Sequence, residues 1–244
     1  MKILIVADIH GNWPALRAVV SAERFDRCLV LGDLVDYGPD PVPCIEWVAR
    51  HAWVCIRGNH DHAVAQGAPC VGSQGYRLLS SATRPWSWRQ LAAQHYRFLA
   101  GMPITARAQA DGCRFLLVHA TPRDPLEEYA PPDLEVWRRR LERIEANIVC
   151  VGHTHVPFVM QCDGKLVVNP GSVGQPRDGD PRASYATWED GVVTLHRAEY
   201  AVDETLQRIV ASDLPEPAKT LTMHVLTQGR LPSLNGHPTG VGET

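Results

Sequence analysis

The sequence predicts an α/β fold, and three observations carry the prediction. Five short apolar runs, at residues 3–7, 28–31, 53–56, 115–118 and 148–151, lack polar alternation, as strands covered on both faces do. Segments of helical period separate the first three, giving a β-α-β-α-β series that favours right-handed crossovers and a parallel arrangement. Beyond residue 156 the apolar runs shorten and become turn-linked, with Asp163-Gly164 and Asp190-Gly191 as hairpin signals.

Taken in order, residues 2–7 read as the first strand. Asn12 caps the helix that follows, with Pro14 in its first turn and Leu16, Val19 and Val20 on one face. The second strand covers roughly 28–31 and ends in the turn-rich loop Gly32-Asp33-Leu34-Val35-Asp36-Tyr37-Gly38-Pro39. A helix near 42–50 leads to the third strand. Residues 62–112 lack strand-like runs and read as a helical insertion, with helices near 76–82 and 88–100. After the fourth strand, Asp133 caps a helix in which Leu134, Trp137, Leu141 and Ile144 recur at helical spacing. The fifth strand ends at Gly152. Strands near 158–160, 166–168, 185–188 and 192–195 predict a second, largely antiparallel sheet packed on the first. The expected organisation is a domain over 1–200 carrying the insertion, a helical extension over 201–228, and a loose Gly/Pro-rich tail over 229–244.

The chain has 244 residues with 45% apolar content, enough for a sizeable core. A net charge of -3 without a basic run gives no sign of nucleic-acid binding, so an acidic substrate would need local cations. Seven cysteines, an odd number without a CxxC pair, point to a reducing, cytoplasmic setting. Asp8 and His10 interrupt the N-terminal apolar run too early for a signal peptide, and no stretch is long enough to span a membrane. Nothing in the sequence indicates an oligomeric state.

Ligands of covered sheets bind beyond the carboxyl ends of the strands. Polar blocks follow all five apolar runs: Asp8-Ile9-His10, Gly32-Asp33, Gly58-Asn59-His60-Asp61, His119-Ala120 and Gly152-His153-Thr154-His155. Asp8, His10, Asp33, Asn59, His119, His153 and His155 can therefore converge. Their mixture of imidazole nitrogen with carboxylate and amide oxygen suits Mn, Fe, Zn, Co or Ni rather than Ca or Mg. Seven such groups exceed the needs of one ion and suit two, roughly 3.5–4 Å apart, with a carboxylate and an acidified, attacking water between them. His60, directly after Asn59, points elsewhere than a ligand would and is placed to protonate a leaving oxygen. Asp61 either orients His60 or shapes the turn. Arg57 either touches substrate phosphate or pairs on the surface. Asn169, Gly171 and Ser172 lie in a glycine-bearing turn expected to support the site. The Trp86/Trp88 cluster with Arg84, Arg89 and Arg97 reads as helix packing, and Cys150 as a core thiol.

These five blocks, in this order and spacing, resemble the calcineurin-like metallophosphoesterase family. Asn169-Pro170-Gly171-Ser172-Val173-Gly174-Gln175-Pro176-Arg177 resembles a downstream loop of its compact bacterial phosphodiesterase branch. The resemblance covers roughly residues 1–197. It implies a four-layer α/β/β/α sandwich of two mixed sheets flanked by helices. It implies Asp8, His10 and His155 as ligands of a first divalent ion, with Mn foremost. It implies Asn59, His119 and His153 as ligands of a second, Asp33 as the bridge and His60 as the acid. The expected activity is hydrolysis of a small phosphate ester or nucleotide, a phosphodiester foremost. A phosphomonoesterase, whether a protein Ser/Thr phosphatase or a dinucleoside polyphosphate hydrolase, is the alternative on the same core. A protein phosphatase would add clamping arginines, and only Arg57 and Arg177 are near the motifs. A non-catalytic scaffold, as in the retromer subunit of this family, is disfavoured because every ligand position is intact.

Overall fold

Strand β1 (Lys2–Val6) leads through helix α1 (Trp13–Ala22), strand β2 (Arg27–Val30) and helix α2 (Pro41–His51) to the short strand β3 (Val54–Cys55). Helices α3 (Asn59–Gln66), α4 (Gln74–Gln90) and α5 (Ala93–Gly101) follow, then strands β4 (Thr105–Ala110) and β5 (Cys113–Val118). Helix α6 (Leu134–Leu141) precedes β6 (Ile148–Cys150), β7 (Phe158–Cys162), β8 (Lys165–Asn169), β9 (Ala183–Glu189) and β10 (Val192–Ala198). Helices α7 (Val202–Ala211) and α8 (Glu216–Gln228) close the chain, whose residues 1–68 and 74–232 are described by the computed structural model.

Alternation within the apolar runs sets the layers. Successive strand residues face opposite ways. Ile3, Ile5 and Ala7 therefore join Leu29, Leu31, Phe115, Leu117, Cys150 and Trp188 between the sheets. Leu4 and Val6 turn outward to Leu16, Val19, Ile45 and Val48 of α1 and α2. Leu116, Val118 and Val149 pack outward against Trp137 and Leu141 of α6. Each such fully buried side chain contributes roughly 1.5–3 kcal/mol. The result is a four-layer α/β/β/α sandwich of two mixed sheets, ordered β10-β9-β1-β2-β3 and β4-β5-β6-β8-β7. β1, β2 and β3 run parallel, as do β5, β6 and β8.

Three expectations need correction. First, the insertion is not strand-free: β4 pairs antiparallel with β5 along its whole length. Its inward residues Ala106, Ala108 and Ala110 are small, and its alternate residues Thr105, Arg107 and Gln109 are polar, which masks an edge strand. The turn Asp111-Gly112, with φ of 46° and 77°, carries the same hairpin signal as Asp163-Gly164 and Asp190-Gly191. Second, the later strands do not build one sheet. The β7–β8 hairpin docks through β8 onto β6, and the β9–β10 hairpin docks through β9 onto β1. Six consecutive buried residues in β9 demand an interior position, while the largely exposed β10 takes the edge. Third, the insertion carries the end of α3 as well as α4 and α5, and α4 is longer than expected, running from Gln74 through Pro85 to Gln90.

Asn12 caps α1 as expected, accepting the Ala15 N–H at 3.3 Å. It also receives Thr205 Oγ1 of α7 at 3.1 Å and donates to the Gly174 carbonyl at 3.1 Å. Asp133 caps α6 through the N–H groups of Glu135 and Val136. Helix α8 packs with α4 around Tyr37, Leu79, Ala218 and Val225. Gly229 and Leu231, expected in the loose tail, are anchored: the Gly229 carbonyl accepts Gly179 N–H, and Leu231 packs in that cluster. Residues 233–244 and Cys70 lie outside the described residues. Among those described, no helix is long and apolar enough to cross a membrane.

Candidate metal centre

The polar blocks do converge, and their backbone is unusual. Among the described residues ten non-glycine positions have positive φ. Three are the Asp residues of the Asp-Gly hairpin turns. The other seven are Asp8, His10, Asp33, Asp36, Tyr37, His153 and His155. A left-handed non-glycine residue costs about 1–3 kcal/mol and persists only where its surroundings over-determine it. Here the loops lock one another: His10 N–H donates to the Asp33 carbonyl, Gly152 N–H to that of His119, and Gly174 N–H to that of Asp8. Contact this close requires glycine. A Cβ on Gly152 would lie 2.8 Å from Asp8 Oδ2, and one on Gly58 would overlap Asp33 Oδ1.

The donor atoms gather in a buried cluster. His10 Nε2 lies 3.2 Å from His155 Nε2 and 3.9 Å from Asp8 Oδ1. His155 Nε2 lies 3.3 Å from Asp8 Oδ1. His119 Nε2 lies 3.2 Å from both Asp33 Oδ2 and Asn59 Oδ1, and 4.0 Å from Asp8 Oδ1. Two triads could each hold an ion, Asp8/His10/His155 and Asp8/Asp33/His119. Asp33 Oδ2 stands between the groups, 3.8 Å from His10 Nε2 and 3.2 Å from His119 Nε2, and accepts no well-aligned hydrogen bond. His153, half-buried, sets its ring edge-on to His119 at 5.2 Å and donates its backbone N–H to Asp8 Oδ2 at 3.1 Å.

Three imidazoles are oriented alike. Nδ1 donates to a backbone carbonyl: His10 to Val35 at 2.8 Å, His119 to Leu31 at 2.7 Å and His155 to Gln175 at 2.5 Å. That bond fixes the tautomer and aims the Nε2 lone pair inward. Burial holds His10 and His155 well below the usual imidazole range and His153 down at about 3. Two lone pairs facing at 3.2 Å repel unless a cation or proton lies between them. Asp33 and Asp8 overcome the burial of His119 and raise it to about 9. Burial and the Asp33 charge push Asp8 up to about 7, whereas Asp33, despite burial, is held well below the usual carboxylate range by His119 and His60. Oppositely perturbed groups in one dry cluster, with inward lone pairs and an orphaned carboxylate oxygen, fit divalent transition metals.

His60 stands apart from the donors. Its backbone N–H donates to Asp33 Oδ1 at 2.9 Å, Nδ1 donates to Asp36 Oδ2 at 2.8 Å, and Nε2 lies 3.3 Å from Tyr37 Oη. Asp36, not Asp61, orients it. Asp61 shapes the turn, accepting the N–H groups of Asp33, Leu34 and Gly58 at 2.7, 2.8 and 3.0 Å. Arg84, expected in helix packing, does more: buried, it grips Asp36 Oδ2 through Nη2 at 2.7 Å and Nε at 3.1 Å. Arg57 reaches toward the Ala100 carbonyl at the end of α5. Asn169 donates to the Gly152 carbonyl at 2.7 Å and accepts Gly171 N–H, and Ser172 Oγ donates to the Asp8 carbonyl at 2.7 Å. These three buttress the loops rather than face the donors. Asp36 was visible as the second acid of its turn-rich loop, but its pairing with Arg84, 48 positions later, has no local signal. Cys150 is fully buried, and burial raises its thiol.

A buried nitrogen–oxygen donor cluster at the strand ends of a four-layer sandwich is the arrangement of a metal-dependent hydrolase. The chain belongs to the calcineurin-like phosphoesterase superfamily, whose domain model matches residues 1–190. It is similar to the metallophosphoesterase from Sphaerobacter thermophilus, with TM-score 0.80 and 34% identity over 94% of this chain and 99% of that one. It is 30% identical to the uncharacterized protein MJ0912 of Methanocaldococcus jannaschii over 88% of this chain and 94% of the relative. Phosphodiesterase YfcE of Escherichia coli is 26% identical over 80% and 91%. The protein is thus a phosphoester hydrolase.

Proposed function

We propose that the protein is a phosphodiesterase working with two divalent transition-metal ions, Mn foremost. The observation that carries this reading is the set of inward Nε2 lone pairs and carboxylate oxygens around the orphaned Asp33 Oδ2. Asp8, His10 and His155 would hold one ion, Asn59, His119 and His153 the other, and Asp33 both. Bound there, such ions supply Lewis acidity toward water and toward phosphate oxygens.

The remaining steps belong to the chain. Asp36 accepts the Nδ1–H of His60 and stabilises the imidazolium, whose Nε2 would carry a proton to the leaving oxygen. Arg84 holds Asp36 in place from behind. The buried loops exclude water from the donors, which strengthens every charge interaction inside. Preference for a diester rests on charge. A monoester dianion calls for more positive charge than a diester monoanion, yet Arg84 is committed to Asp36 and Arg57 reaches toward Ala100, which leaves Arg177 as the one uncommitted arginine of the three. The relative named a phosphodiesterase supports the same choice. Chelator-stripped protein assayed on bis-p-nitrophenyl phosphate and p-nitrophenyl phosphate, with and without Mn²⁺, tests it. Metal-restored cleavage favouring the diester is expected; cleavage favouring the monoester would overturn it.

A further inference from the structure

We propose that Arg177 binds the phosphate of the substrate and that Tyr76 of the inserted helix α4 sets its position. This proposal rests on the reading of the centre as a phosphoesterase site and adds a residue that the metal motifs do not contain.

Arginine binds phosphate through a rigid fork of N–H donors. A guanidinium used for structure alone normally spends those donors on carboxylates or carbonyls. Arg177 does not. Among the described residues it has no carboxylate within ion-pair distance, Nη2 donates to Gln175 Oε1 at 3.0 Å, and its buried Nε has no partner. What holds it is a ring: Cζ lies 3.7 Å from the centroid of Tyr76. That contact fixes the plane and charge of the guanidinium without consuming its N–H groups.

Neighbouring contacts connect this cation to the metal centre. Arg177 follows Gln175 by two residues, and the Gln175 carbonyl receives His155 Nδ1. The Tyr76 carbonyl faces Tyr37 Oη at 3.5 Å. Tyr37 in turn sets its ring edge-on to His10 at 4.6 Å and its Oη 3.3 Å from His60 Nε2. One contiguous contact path therefore joins Arg177 through Tyr76 and Tyr37 to a candidate ligand and to the proton-donating histidine. Tyr129, half exposed, lies edge-on to His153 at 6.0 Å. The exposed ring of Tyr129 offers a flat face to an aromatic ester group, so the substrate class is a phosphodiester with an aryl or nucleobase substituent.

The test uses the full chain loaded with Mn²⁺, and reads metal content, kcat, KM and the inhibition constant of inorganic phosphate. Arg177→Met is expected to keep its metal and to raise both KM and the phosphate inhibition constant about 10- to 100-fold. Arg177→Lys should recover part of that loss. Tyr76→Leu should raise KM about 3- to 10-fold, and Tyr76→Phe, which keeps the ring, by less. Phosphate inhibition unchanged in Arg177→Met would overturn the proposal. So would loss of metal with an unchanged KM at saturating Mn²⁺, because Arg177 would then only brace the Gln175 loop. Should the wild type prefer the monoester, the phosphodiesterase reading falls, while the phosphate-inhibition arm still judges Arg177.

Discussion

Replacing Asp36 by Asn isolates the part played by the carboxylate behind His60. Asp36 Oδ2 receives three charge-assisted bonds: His60 Nδ1 at 2.8 Å, Arg84 Nη2 at 2.7 Å and Arg84 Nε at 3.1 Å. The amide keeps the shape and one acceptor but loses the charge. A hydrogen bond to a charged group is worth about 1.5–3 kcal/mol, so a loss felt through His60 in the transition state should lower kcat about 10- to 100-fold. Metal content should stay level, because Asp36 is in neither donor triad. The folded state should weaken as well: Arg84 is only 6% exposed, and a buried cation stripped of its partner costs about 3–5 kcal/mol in the limit of complete removal. The assay is a double-mutant cycle with His60→Ala on bis-p-nitrophenyl phosphate at saturating Mn²⁺, with a thermal melt of each variant. If Asp36 acts through His60, Asp36→Asn changes kcat less than about twofold once His60 is Ala. Equal losses in both backgrounds would refute the coupling, and metal loss in the single variant would refute the assigned role.

The other predictions concern the same loops. His60→Ala should lower kcat about 10²- to 10⁴-fold with metal content nearly unchanged, whereas Asp33→Ala should lose metal; elemental analysis of both variants separates proton donor from ligand. Asp61→Ala strands three backbone N–H groups and should cost about 3 kcal/mol or more, read as a lower thermal midpoint, with weakened metal affinity alongside. In the metal-free protein at pH 7, His119, raised to about 9, carries a proton that a metal must displace. Apparent metal affinity should therefore climb with pH until about 9, and calorimetry in buffers of different ionisation enthalpy should show proton release. Binding without proton release would contradict it.

The legible part of this protein was local. Continuous apolar runs marked buried strands because both faces of β1, β2, β5 and β6 lie against other layers, and ligands at strand ends follow from that architecture. Asp8, His10, Asp33, Asn59, His60, His119, His153 and His155 could be named as candidates because each sits within about four residues of the end of such a run. Strand β4 escaped because alanine fills its inward positions, although Asp111-Gly112 announced its hairpin. The hairpins at Asp163 and Asp190 were plain, but a turn dipeptide specifies pairing between neighbours and says nothing about which sheet edge receives the pair. The chain's own letters were thus sufficient for every strand but β4, for the Asn12 and Asp133 caps, for the turns and for the polar blocks that gather at the strand ends. Sheet membership, the grip of Arg84 on Asp36, the division of labour between Asp36 and Asp61, and the stacking of Arg177 on Tyr76 arose only on folding. Those contacts join residues tens to more than a hundred positions apart, where no periodicity or propensity in the chain records what burial and charge will bring together.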